Sequence, residues 1–104
     1  MIVDRFSEQD LDKLMLFLDD NVTENYEKGV FLTIMKRWPE GFLVGRNGSE
    51  IVGVACGAIQ PNSKLRILII ALSKEFRRKG FGKKLLNVFI IIILNGIISI
   101  LLLY

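Results

Sequence analysis

The chain has 104 residues, 51% of them hydrophobic, and a formal net charge of +3. That is enough for one domain with a modest core, and it excludes a disordered tail. With one cysteine and no histidine, an internal disulfide is excluded and the usual general base and metal ligand are missing, which predicts a reducing, cytoplasmic setting and no metal.

The opening MIVDRFSEQD lacks the apolar core and cleavage signature of a signal peptide. Ile2, Val3 and Phe6 suggest a short edge strand. Ser7 followed by Asp10 is a capping-box pattern that starts a helix. Leu11, Leu14, Met15 and Leu18 give that helix one apolar face, and Asp19-Asp20-Asn21 breaks it. A second helix is predicted over 23–37, with Tyr26, Val30, Ile34 and Trp38 on one side. Gly29 weakens its middle and Pro39 ends it.

The period then changes. Residues 41–60 read as two extended runs joined at Asn47-Gly48, a pair suited to a tight hairpin. Small residues Gly53, Ala55, Gly57 and Ala58 line the second run. PNSK is a turn, and LRILIIAL, 65–72, predicts a buried central strand. A helix follows over 80–94; Asn95-Gly96 stops it and IISILLLY predicts one more strand. The order is β-α-α-β-β-β-α-β: an α/β fold, a mixed and mostly antiparallel sheet flanked by helices, in a single domain over 1–104.

The run 88–104 contains only Asn95, Gly96 and Ser99 as polar or breaking positions. A transmembrane tail wants ~20 apolar residues. Asn95-Gly96 in mid-run and β-branched Ile97-Ile98 after it favour a buried helix, a turn and a strand instead. Isoleucines 90 to 93 circle the whole helix, so its outer face needs a cover. An unpaired apolar edge on the last strand predicts a homodimer formed by strand pairing or exchange.

The stretch EFRRKGFGKKLLNVF, 75–89, carries the chemistry. The first N–H groups of a helix have no internal partner, and the helix dipole adds partial positive charge there. A phosphate at that end accepts several backbone hydrogen bonds at once. Glycine lets backbone approach closely and adopt positive φ, while Arg77, Arg78, Lys79 and Lys83 can neutralise a diphosphate. A local cluster of this kind favours a small anionic ligand over nucleic acid, which wants basic residues spread over a face. No Gly-Lys-Ser/Thr closes the loop, so it is not a Walker A loop. The dinucleotide fingerprint needs a third glycine and a later acidic residue, and neither is present.

Arg77-x-x-Gly80-x-Gly82, placed between a strand and a helix, resembles the coenzyme A signature Gln/Arg-x-x-Gly-x-Gly/Ala of the GNAT superfamily of N-acetyltransferases. The order of elements is similar over nearly the whole chain; the sequence-specific part is 72–86. The resemblance implies an enzyme that moves an acetyl group from acetyl-CoA to an amine: a protein N-terminus, a lysine or a small amine. It implies that the backbone amides of Arg77, Arg78, Lys79, Gly80, Phe81, Gly82 and Lys83 hold the pyrophosphate. It also implies that the backbone of Ile70, Ala71 and Leu72 pairs with the pantetheine arm, with an amide near Leu72 polarising the thioester carbonyl.

The chain departs from the family in two places. The family's further helix and two strands, which often supply a tyrosine to protonate the thiolate, would follow the last strand read here, as expected of a domain truncated after its fifth strand or a fragment of a longer acetyltransferase, and Tyr104 does not match that tyrosine. Leu103 stands near the place where many members carry a glutamate. No catalytic residue is therefore assigned; the carboxylates Glu40, Glu50 and Glu75 match no base. Cys56 reads as a small core residue, Trp38 and Tyr26 as packing, and Phe81 as a packing anchor. Two other readings stand beside the enzyme: a non-catalytic acyl-CoA-binding module and, favoured only by the apolar tail, a membrane-anchored interaction protein.

Overall fold

The computed structural model describes residues 1–62 and 64–102, with side-chain surroundings given as far as residue 95. Strand β1 is Ile2–Arg5. Ser7 then turns the chain: its N–H donates to Asp10 Oδ2 at 2.9 Å and its hydroxyl to the same oxygen at 3.1 Å. This capping arrangement holds a short 3₁₀ turn, Glu8–Asp10, and helix α1 follows as Leu11–Asn21. Helix α2 is Lys28–Arg37. It begins later than the expected residue 23, because Val22 and Glu27 both take extended backbone; Gly29 therefore sits in its first turn. A second 3₁₀ turn, Pro39–Gly41, leads into the sheet.

Strands β2 (Phe42–Asn47), β3 (Glu50–Ile59) and β4 (Leu65–Leu72) continue an antiparallel meander, with spatial order β1-β2-β3-β4 among the described residues. Asn47 pairs with Glu50, so the hairpin loop is Gly48-Ser49, one residue later than the sequence suggests. Gly48 takes φ +61°, which both hairpin-favoured turn types require at the first loop position. The register shifts once in each later pairing, between Gly45 and Arg46 and between Cys56 and Gly57.

Alternation along β2 and β3 sends side chains to two cores. Phe42, Val44, Ile51, Val54 and Cys56 face α1 and α2, where Phe6, Leu14, Phe17, Leu18 and Phe31 join them. Phe6 stacks on Phe42 with centroids 4.2 Å apart. Leu43 and Ala55 face the other way and meet Trp38, Leu85 and Phe89. Gly57 permits this second packing, since a Cβ there would press on the Arg66 carbonyl, Phe89 and Trp38.

Helix α3 spans Phe81–Leu102 and corrects two expectations. It runs straight through Asn95-Gly96, so residues 97–102 are helical and not a fifth strand; 103 and 104 lie outside the described residues. A glycine within a helix costs only about 1 kcal/mol against alanine, which the unbroken ladder of an apolar run outweighs. The mixed α/β architecture stands, with β4 the last strand of the sheet among the described residues. Consequently β4 is not a buried central strand. Among the described residues its outer edge has no partner strand, and Ile67 is 53% and Ile70 43% exposed. The edge argument for a homodimer thus loses the strand on which it rested. Among the residues whose side-chain surroundings are described, which end at residue 95, no helix is long and apolar enough to cross a membrane.

Candidate coenzyme-binding loop

The site is built from the end of β4 and the start of α3. Ser73 N–H donates to the Val52 carbonyl at 2.8 Å and fixes the end of β4 to its neighbour. A 3₁₀ turn, Lys74–Phe76, reverses the chain. It closes with Phe76 N–H on the Ser73 carbonyl at 3.0 Å and Arg77 N–H on the Lys74 carbonyl at 3.3 Å. Arg77 Nε–H reaches back to the Leu72 carbonyl at 2.9 Å. Phe76 and Phe81 then meet across the neck of the loop, with ring centroids 5.2 Å apart.

Beyond that neck the backbone leaves ordinary helical geometry. Arg78 takes φ +62° and Gly80 φ +83°. A left-handed arginine is uncommon because its Cβ crowds the following carbonyl, and no residue around it announces the conformation. The first helical bond of α3 runs from Lys84 N–H to the Gly80 carbonyl at 3.1 Å. Among the described residues, the N–H groups of residues 78–83 therefore have no backbone acceptor. Successive N–H groups in such a bend form a concavity that suits an anion. Nothing stands within 4 Å of a Cβ built on Gly80, and residues 77–80 are exposed. No other part of the protein plugs the loop among the described residues.

The expected site residues thus fall into groups. Ile70, Ala71 and Leu72 are the last residues of β4, on its open edge. Arg78, Lys79, Gly80, Phe81, Gly82 and Lys83 form the loop and first turn of α3 and lie together. Arg77 differs, since its own amide is engaged within the turn. Lys74, Arg77, Arg78, Lys79, Lys83 and Lys84 are all exposed, and the ion pairs among the described residues involve none of them. Lys84 Nζ instead donates to the Met1 carbonyl at 2.7 Å.

The carboxylates do not gather at the loop. Glu40 lies in the turn before β2. Glu50 and Glu75 line a separate pocket of about 530 Å³ between α1, β3 and the turn after β4. Ser73 borders it too, with a buried hydroxyl that has no partner among the described residues. Cys56 is buried in the core, and burial pushes its thiol up to about 12, which removes it as a nucleophile near neutral pH. Tyr26 packs on Phe31 and Trp38 on Phe89, as expected of packing residues. Sequence reasoning missed the Phe76–Phe81 contact; two aromatics bracketing a basic glycine loop were the available signal.

A meander followed by a positively charged, amide-lined turn into a helix defines an acyl-CoA N-acyltransferase type of domain. The sequence profile of the acetyltransferase (GNAT) family matches residues 5–95, and the chain belongs to that family. It is 29% identical over 87 residues to the N-terminal acetyltransferase B complex catalytic subunit NAA20 of Arabidopsis thaliana, covering 80% of this chain and 50% of that protein. Ard1 from Thermoplasma volcanium superposes with a TM-score of 0.82 at 28% identity, over 90% of this chain and 64% of that one. Chaetomium thermophilum Naa20, solved with a bisubstrate analogue, gives 0.72 at 29% identity, over 84% and 53%. The chain thus spans about half the length of the curated relative it matches.

Proposed function

We propose that this chain contributes the acetyl-CoA-binding part of an N-terminal protein acetyltransferase. The observation that carries the reading is the exposed turn at 78–83, whose amides have no backbone acceptor among the described residues. Its donors, the space at Gly80 and the surrounding cations fit a diphosphate. The unpaired edge of β4 at Ile70, Ala71 and Leu72 offers backbone groups to an extended pantetheine arm. Acetyl-CoA supplies an activated acyl carbon: a C–N bond forms to the amine, the C–S bond breaks, sulfur keeps the electron pair, and the nitrogen loses a proton. The protein's contribution is orientation and exclusion of water from the acyl group.

An α-amine of a polypeptide is the preferred acceptor, supported by the likeness to NAA20. The name of that relative, a catalytic subunit of a complex, favours a different polypeptide as partner over a second copy of this chain. A cytoplasmic setting belongs to the same proposal, resting on the lone buried cysteine.

A non-catalytic acyl-CoA-binding module is the second reading, supported by the absence of carboxylates from the loop. Calorimetry with acetyl-CoA and with free adenosine diphosphate tests the binding. Mass spectrometry of peptides differing at their first residues, incubated with acetyl-CoA, separates transfer from binding alone. Binding without any acetylated peptide would favour the second reading.

A further inference from the structure

We infer that Arg77 is a positioning residue whose side chain shapes the loop for its ligand, leaving the anion to the amides of 78–83 and to Arg78, Lys79 and Lys83. This rests on the proposed binding of a diphosphate at the loop. A basic cluster read from sequence treats all four cations alike. The structure separates them. Arg77 turns both kinds of donor inward: its N–H goes to the Lys74 carbonyl at 3.3 Å and its Nε–H to the Leu72 carbonyl at 2.9 Å. Arg78, Lys79 and Lys83 have no side-chain hydrogen bond or ion pair among the described residues.

The Arg77 bond ties the last carbonyl of β4 to the start of the left-handed bend. It spans the 3₁₀ turn of Lys74–Phe76, so it fixes where the bend begins relative to the strand edge. Phe76 on Phe81 closes the same neck from the other side. Between these ties the chain holds positive φ at Arg78, a conformation an untied loop would leave. A loop held in this form before the ligand arrives loses less entropy on binding. The needed property is an N–H donor of the right reach at position 77, and positive charge there is secondary.

Arg77→Gln keeps a donor and removes the charge; Arg77→Met removes both. Two measurements decide between positioning and charge. The first uses the free protein. Hydrogen exchange of the Phe76 amide should quicken about tenfold in Arg77→Met and stay within about threefold in Arg77→Gln. An unchanged rate in Arg77→Met overturns the inference whether or not any ligand binds.

The second is calorimetry with coenzyme A between about 50 mM and about 500 mM salt, where screening grows steeply. Arg77→Gln should weaken binding no more than about threefold with the wild-type salt dependence, and Arg77→Met about tenfold with the same dependence. Lys83→Met should weaken binding and flatten the salt dependence. An Arg77→Gln that flattens the curve as Lys83→Met does makes Arg77 an anion ligand and overturns the inference. Failure of the wild type to bind coenzyme A removes the functional reading alone, and the exchange measurement still decides the role of Arg77.

Discussion

Arg46 and Asp10 form a two-pronged, largely buried ion pair. Arg46 Nη1 and Nη2 each donate to one Asp10 oxygen at 2.7 Å, with the two side chains 22% and 11% exposed. Those hydrogen bonds hold the Asp10 carboxyl at about 2, below its ordinary 3.8. A carboxylate whose folded pKa is depressed stabilises the fold above its unfolded pKa and loses that stability as pH falls through the folded one. The contribution is of order 2 kcal/mol, present above about pH 4 and gone near pH 2. Denaturant melts across that range should show the loss. Arg46→Met should cost about 2 kcal/mol at neutral pH, because it strands a mostly buried carboxylate, and that deficit should shrink towards pH 2 as the carboxyl protonates.

Gly80 is a contrasting case. Its φ of +83° lies in open space, so a larger side chain meets no neighbour and the cost is backbone strain of roughly 1–2 kcal/mol. Gly80→Val should therefore keep a native circular-dichroism spectrum while losing most coenzyme A affinity in calorimetry. Unchanged affinity would remove the turn from the binding site.

At the scale of elements, much of the fold was legible in particular residues. Ser7 with Asp10 marked the start of the first helical segment, Asn47-Gly48 marked the hairpin to within one residue, and Arg77, Gly80 and Gly82 marked the loop. What was not legible depended on partners. LRILIIAL reads equally well as a central strand or an edge strand, because apolar composition reports burial and not which neighbour supplies it. Arg78 carries no sign of its left-handed backbone, which the surrounding turn imposes.

The Asn95-Gly96 pair reads as a stop from local chemistry, yet α3 passes through it. Gly96→Ala discriminates between the two. In a continuous helix it should add helical ellipticity and raise stability by up to about 1 kcal/mol. In a turn that needs positive φ it would lower the melting temperature.

For the whole molecule, one sheet separates two cores with different anchors. Phe31 is fully buried on the α1–α2 side and Phe89 on the α3 side. Each truncation to alanine should cost about 3–5 kcal/mol, and a domain of this size has only about 5–15 kcal/mol in total. Either variant alone should fold, and the pair should not, as followed by urea denaturation. A double variant that still melts cooperatively would show that the two layers are less dependent on one another than their shared sheet implies.

The seat of Met1 bears on how such experiments are set up. Its carbonyl takes the Lys84 ammonium, which places Met1 within a lysine's length of the basic turn. An oligohistidine purification tag fused ahead of Met1 would begin beside the turn proposed to bind coenzyme A and add its own charge there. Titrations are best made on protein tagged elsewhere or freed of its tag.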